Sequence, residues 1–289
     1  MRSNRIAALV IALLICAAGA VFAQEEAQEE VQGETKEDNT GTNPINFTYD
    51  ARFYMESTWF DGGSLIAPTF EFRMPLGRTM SNLTNQKLGI FNDLGNKYAV
   101  RLKVRPQQNL NLEDPGGDPT ADTNISGMGD MDFRFLAVPK ANDKWGIATG
   151  LEAYFPTATN DLLGTGQYTL RPQVFLGFFG LFGKNSIFAP GYLYAFDVGG
   201  DSDRPPIDQH QFDVYFVWLL GQMKHWLIVN PQVNLDQEND LNIYILDLEL
   251  GFMIPQMPGA SIHIRPGAGL GSDRPFDWSF EFGIRFIWR

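Results

Sequence analysis

The chain has 289 residues, with 34 acidic against 22 basic side chains and a formal net charge of −12. Phosphate backbones are bound through Lys and Arg, so this balance argues against a nucleic-acid partner. A single cysteine, Cys16, excludes a disulfide scaffold and Cys-based metal or redox chemistry.

Residues 1–23 read as a cleaved signal peptide. Arg2 and Arg5 form a positive n-region and residues 6–21 are apolar. Val21, Phe22 and Ala23 place small residues at −3 and −1, as a signal peptidase requires. Cleavage removes Cys16 together with both arginines and takes the net charge from −12 to −14. Residues 24–44 read as a disordered acidic leader on the periplasmic side. They have seven acidic side chains, only Lys36 against them and no aromatic residue, so little can offset the entropy of ordering.

Residues 45–289 read as one all-β domain, a single antiparallel transmembrane β-barrel of about twelve strands. No run of eighteen apolar residues occurs there, so a transmembrane helix is excluded. Alternation recurs instead. In the first segment Phe47, Tyr49, Ala51, Phe53 and Met55 share one face, and Asn46, Thr48, Asp50, Arg52 and Glu56 share the other. The same period of two runs through residues 66–74, 98–105, 130–137, 145–155, 168–178, 186–197 and 208–220. It continues through 226–235, 242–254, 260–270 and 277–289. Most of these are long enough for a tilted barrel strand, which needs roughly nine to eleven residues.

The connections alternate as well. Residues 139–144, 181–185, 221–224 and 255–259 are short, whereas 107–127, 156–167 and 198–207 are long and rich in Gly, Asp and Pro. Short periplasmic turns, long outer loops and an even strand count are the outer-membrane pattern. Residues 77–96 break it, being a long connection on the side of the short turns. Leu88, Phe91 and Leu94 are spaced there for one helical stripe, so a helix at the rim is expected in preference to a plug.

A soluble β-sandwich also alternates. Against it stand the aromatic residues near strand ends (Trp59, Trp145, Tyr168, Trp218, Trp226, Trp278, Trp288), which read as interfacial girdles facing outward. The other face is charged on almost every strand, the reverse of a sandwich core. The last strand alternates Trp278, Phe280, Phe282, Ile284, Phe286 and Trp288. It looks like the C-terminal signal read by the barrel-assembly machinery, although the final residue is Arg289. The expected surroundings are outer-membrane lipid.

Ser126, Gly127, Met128, Gly129 and Asp130 open one strand, and the next ends in Tyr154, Phe155, Pro156 and Thr157. Leu163, Gly164, Thr165 and Gly166 follow in the loop. This G-x-G-D start, Pro-Thr strand end and Leu-Gly-x-Gly loop resemble the outer-membrane transporter family named for the phenol meta-pathway. The family's usual Gly after Pro-Thr is Ala158 here. The resemblance covers about residues 127–180. It implies a barrel that passes aromatic or other small compounds, without fixing a substrate.

With the apolar face toward lipid, the lumen holds Arg52, Glu71, Arg73, Arg101, Lys103, Arg105, Asp130, Asp132, Arg134, Glu152, Arg171, Asp213, Asp247, Glu249, Arg265, Glu281 and Arg285. Hairpin geometry sets Glu152 near Arg171 and Glu249 opposite Arg265, and Arg101, Lys103 and Arg105 beside Asp130 and Asp132. At the seam Glu281 and Arg285 meet Asp50, Arg52 and Glu56. Two readings stay open: a structural ion-pair network that narrows the lumen, and a permeation path with a basic ladder facing acids. A third is enzymatic. Asp130-x-Asp132 and Asp208-x-His210 both start strands at the outer rim, where omptin-type proteases carry an Asp pair and an Asp-His pair. The flanking residues do not match those proteases. The three histidines lack the His-x-Ser pair of a barrel phospholipase, and no nucleotide, zinc-protease or EF-hand motif occurs, so no cofactor or metal is expected.

Overall fold

The computed structural model describes residues 47–76, 97–114, 116 and 122–288. The strands run β1 (Tyr49–Phe60), β2 (Gly63–Pro75), β3 (Tyr98–Val104), β4 (Gln108–Leu112), β5 (Thr123–Gly127), β6 (Met131–Ala141), β7 (Trp145–Phe155), β8 (Gln167–Phe179), β9 (Ser186–Gly200), β10 (Asp208–Leu220), β11 (His225–Asp236), β12 (Leu241–Met253), β13 (Ala260–Leu270) and β14 (Trp278–Trp288). All pair antiparallel in one sheet, and β1 pairs with both β2 and β14. The sheet therefore closes on itself and has no exposed edge along its length. Closure runs from Tyr49 opposite Trp288 to Trp59 opposite Trp278, with both indole-bearing ends stacked on their aromatic partners.

The barrel wall is twelve strands thick around its circumference, because two of those strands are each broken in two. The first part of β2 pairs with β4 and the last part with β3, while β4 pairs with β5 and β3 with β6. The breaks fall at residues 105–107 and 128–130, and the Gly129 amide donates to the Arg105 carbonyl across them at 2.9 Å. Pro106 has no N–H to give a ladder. At Gly129 a Cβ would lie 2.4 Å from the Gln108 side-chain oxygen. Residues 107–127, expected as a long loop, thus form a hairpin in large part, since β4 and β5 carry the wall further.

Side chains sort by face as the period of two requires. Phe53, Phe70, Phe133, Leu151, Phe212 and Phe280 are exposed on the outside. Asp50, Arg101, Asp132, Glu152, Asp213, Glu281 and Arg285 are buried on the inside. The assumption that the inner face is charged almost throughout is corrected at the end that holds Tyr49 and Trp288. There Ile187, Ala189, Val217, Leu219 and Trp226 form one buried apolar cluster, and Phe47, Ala99 and Val138 form another. Trp226 is 1 % exposed, so it is an inward residue and not part of a girdle. Its ring lies over Gly251, where a Cβ would come within 1.9 Å of the indole. Its Nε1 donates to Glu249 at 2.7 Å, which satisfies the buried donor. The segment 77–96, with its expected helix or plug, lies outside the described residues, as do the signal peptide and leader.

Candidate functional site

Antiparallel pairing places same-face side chains of neighbouring strands side by side, and in the lumen this assembles an ion-pair network. Asp50 is one centre. Arg285 donates to it through Nε at 2.9 Å, Arg73 through Nη2 at 3.0 Å and Arg52 through Nη2 at 3.1 Å. The seam between first and last strand is thus held by a fully buried carboxylate and three cations. Arg52 also lies 3.7 Å from Glu71, which in turn lies 3.6 Å from Arg101.

Arg101 joins this centre to a second. It pairs with Asp132 at 2.6 Å and closely with Glu152, which also accepts from Arg134 at 2.7 Å and lies 3.7 Å from Arg171. Arg105 lies 3.5 Å from Asp132 and donates to the Asp130 carbonyl at 2.8 Å. Lys103 shares their face, in register with Glu71 and Asp132, and forms no ion pair among the described residues. The residue is half-buried.

Beyond Arg171 the contacts become neutral. Arg171 donates to the Tyr154 hydroxyl at 3.2 Å and closely to Gln211. Gln211 donates to Asp213 at 2.6 Å, and Gln232 donates to Asn230 at 2.7 Å and to Asp247 at 2.9 Å. On the remaining wall Glu281 receives Arg265 closely, and its Oε1 lies 2.7 Å from His263 Nε2. The expected Glu249–Arg265 pair is therefore corrected: Arg265 turns to Glu281, directly opposite it on β14, and Glu249 takes the Trp226 indole. Glu56 forms no ion pair among the described residues, although it was placed at the seam.

Within this network the carboxylates of Asp50, Asp132, Glu152 and Glu281 keep 0–5 % exposure; Arg101 and Arg285 are buried with them, whereas Arg52, Arg105, Arg134 and Arg265 keep 21–35 %. Short acids sit against the backbone wall, and long guanidinium stems carry their charge past them toward water. Removing carboxylates from water costs several kcal/mol each in order of magnitude, and only multiple cationic contacts offset that.

At the end opposite Tyr49 and Trp288 the lumen opens into a cavity of about 430 Å3 between β7–β11 and their loops. Arg171 and Tyr154 rise from the barrel wall to line it, and Arg204 and Pro205 enter from the β9–β10 loop.

Asp130 serves a different end. Its Oδ1 accepts from the Ala158 amide at 3.1 Å, and its Oδ2 from the Thr165 amide at 2.7 Å and the Thr165 hydroxyl at 3.1 Å. A Cβ at Gly164 would fall 2.5 Å from the same carboxylate. The Gly-Asp strand start and the Leu-Gly-x-Gly loop are therefore a latch that pins residues 156–166 to the strand break. This explains the chemistry of the motif without calling on a substrate.

The two rim pairs of the enzymatic reading do not share a surface. Asp130 is engaged in the latch and Asp132 is fully buried against Arg101. Asp208 and His210 alternate to the opposite face from buried Asp213, and His210 Nδ1 sits 2.7 Å from the hydroxyl of outward Tyr192. No group of three or more potential metal ligands occurs among the described residues. Sequence reasoning passed over His263, Gln211 and Gln232, which lay on the alternating inner face but carry no charge pattern to mark them, and it placed Trp226 on the outward face.

No protein-family profile and no curated protein matches the chain by sequence. Among solved structures, an outer-membrane channel from Pseudomonas putida F1 aligns with a TM-score of 0.58 at 10% identity, covering 90% of this chain and 100% of that one. The NanC porin aligns with a TM-score of 0.52 at 13% identity, covering 82% of this chain and 98% of its own. At such identities the likeness is one of fold, and the fold is that of small outer-membrane β-barrels.

Proposed function

We propose that the protein is an outer-membrane channel through which small molecules diffuse passively. One observation carries the reading: inside a closed barrel with an apolar exterior, a wall of charged side chains leads into a cavity at the long-loop end that Arg171, Arg204, Gln209 and Gln211 help to line. Similarity of fold to a channel and a porin supports it. The lumen-facing set of Arg101, Lys103, Arg105 and their acidic neighbours would be the permeation path. Aromatic or hydrophobic compounds are the cargo that the resemblance over residues 127–180 implies. The exposed apolar band would contact outer-membrane lipid, and β14 would be read by the assembly machinery. Residues 1–23 would be removed on export, leaving 24–44 as a periplasmic leader.

The test is conductance in planar bilayers together with liposome uptake of small aromatics by the purified barrel. The expected result is a measurable conductance whose ion preference shifts toward cations when Arg101, Lys103 and Arg105 are together replaced by Gln. A barrel that neither conducts nor takes up solute would refute the proposal. The apolar clusters around Trp226 and Phe47, which narrow the lumen near the termini, would then act as its closure.

A further inference from the structure

The cavity at the long-loop end, of about 430 Å3, falls within the roughly 300–1,000 Å3 of small-molecule sites. Its composition is selective. Two guanidinium groups, from Arg171 and Arg204, reach it, and neither Asp nor Glu lines it. Ala195, Pro205, Pro206 and Ile207 supply an apolar flank, with the Tyr154 ring on the barrel side.

Three acids of the barrel wall beside this cavity are withdrawn and already occupied, and the exposed Asp161, Asp201 and Asp203 lie on the loops around it. Glu152 is fully buried behind Arg171, 3.7 Å from its Nη1. Asp213 is 4 % exposed and accepts from Gln211. Asp236 accepts from Gln209 at 3.0 Å, from the Glu238 and Asn239 amides at 3.1 Å each, and from the Asn239 side chain at 3.0 Å. The cations are the reverse. Arg204 donates closely to the Asp161 carbonyl, but its only carboxylate neighbour is Asp161 at 3.9 Å, and that side chain is 96 % exposed. Such a pair is largely screened by water and neutralises little. The remaining donors of Arg171 go to the neutral Tyr154 and Gln211. A guanidinium such as that of Arg204, whose ion-pair partner among the described residues is solvent-exposed, favours a planar bidentate anion.

From this geometry we propose that the cavity is a binding site for small organic monocarboxylates, with Arg171 and Arg204 taking the carboxylate and the proline-rich flank taking a compact apolar body. The inference deepens the channel reading by naming the solute class met at its mouth, and it holds for an acidic chain because no Asp or Glu among the described residues lines the cavity.

The test is calorimetric titration of the full barrel in lipid nanodiscs, with empty nanodiscs subtracted, using benzoate and its neutral analogue benzyl alcohol. Benzoate should bind saturably and at least tenfold more tightly than benzyl alcohol. The Arg171→Gln/Arg204→Gln variant should bring benzoate down to the level of benzyl alcohol. Arg204→Gln alone changes only a loop residue and leaves the barrel wall intact, and it should weaken benzoate binding at least threefold. Equal affinity for the two probes, no saturable benzoate binding, or unchanged affinity in Arg204→Gln would overturn the site. Potassium chloride conductance measured on the same preparation separates the two ideas. A conducting barrel that ignores benzoate removes the site and leaves the channel. A silent barrel that binds benzoate removes the channel and upholds the site.

Discussion

Replacing Glu152 by Gln tests whether the luminal network holds the barrel together. The change keeps the shape and removes a charge that is fully buried among Arg101, Arg134 and Arg171. The loss is unequal among the three. Arg101 keeps Asp132 at 2.6 Å and Glu71 at 3.6 Å, and Arg171 keeps Tyr154 and Gln211. Arg134 has Glu152 as its one carboxylate partner among the described residues, and its Nε already lacks a partner. The cost is therefore close to that of one uncompensated buried charge, about 3–5 kcal/mol. It falls toward about 3 kcal/mol because Arg134 keeps 21 % exposure and water reaches it. Urea unfolding of the refolded barrel in lipid, followed by tryptophan fluorescence, measures it as a shift in midpoint at constant slope. Adding Arg134→Met to Glu152→Gln removes the stranded cation and should recover about 2 kcal/mol, a coupling that only a direct interaction produces. A single variant that loses less than about 1 kcal/mol, as for a solvated surface pair, would refute the reasoning. So would strict additivity of the double variant.

The outward face gives a second expectation. Phe133→Arg and Phe280→Arg, at positions 41 % and 39 % exposed, should each lower folding into vesicles by roughly 2–4 kcal/mol at mid-bilayer depth; normal assembly of both would mean the faces are inverted. Asp130→Asn removes the charge that accepts from Ala158 and Thr165. It should cost about 1–3 kcal/mol and speed proteolytic cutting within residues 156–166, and an unchanged cutting rate would dismiss the latch. Gly251→Ala puts a Cβ 1.9 Å from the Trp226 ring and should destabilise by about 1–3 kcal/mol with a shift in tryptophan emission. Trp226→Phe in the same chain should return part of that loss, and failure to do so would place the strain elsewhere.

Faces were legible in the sequence because a strand offers only two, and the alternation of Tyr98, Val100 and Leu102 with Arg101 and Lys103 leaves no third choice. Pairing partners were less legible, since every strand has two neighbours. Glu152 and Arg171 stand opposite each other across one hairpin and do meet. Arg265 has acids on both sides, and it takes Glu281, its register partner on β14, in preference to Glu249 on β12. Register alone could not decide this, because Glu249 is also claimed by a tryptophan read as lipid-facing. The clue to Trp226 was Gly251 opposite it, the one residue that leaves room for an indole inside the wall. Contacts that skip a strand lie further from sequence reasoning. Arg171 reaches Gln211 across β9, whose Leu193 is the register partner of Gln211.

Net charge says little about what a solute would meet. Seven of the acids lie in residues 24–43, and within the barrel Asp50, Asp132, Glu152 and Glu281 are folded into the wall beneath arginines. A carboxylate held by two or three guanidinium groups is neutralised locally, while the outer ends of those groups still point to water. The potential at the mouth is set by the exposed and incompletely paired charges, because pairs in contact with water are screened within about 10 Å at moderate salt. Arg204, beside the solvated Asp161, is such a charge, whereas Arg171 is partly offset by Glu152 at 3.7 Å. A chain with a strongly negative total can still present arginine side chains to a solute, and raising the ionic strength should weaken benzoate binding there while leaving the buried Glu152 cluster, and the unfolding midpoint it supports, nearly unmoved.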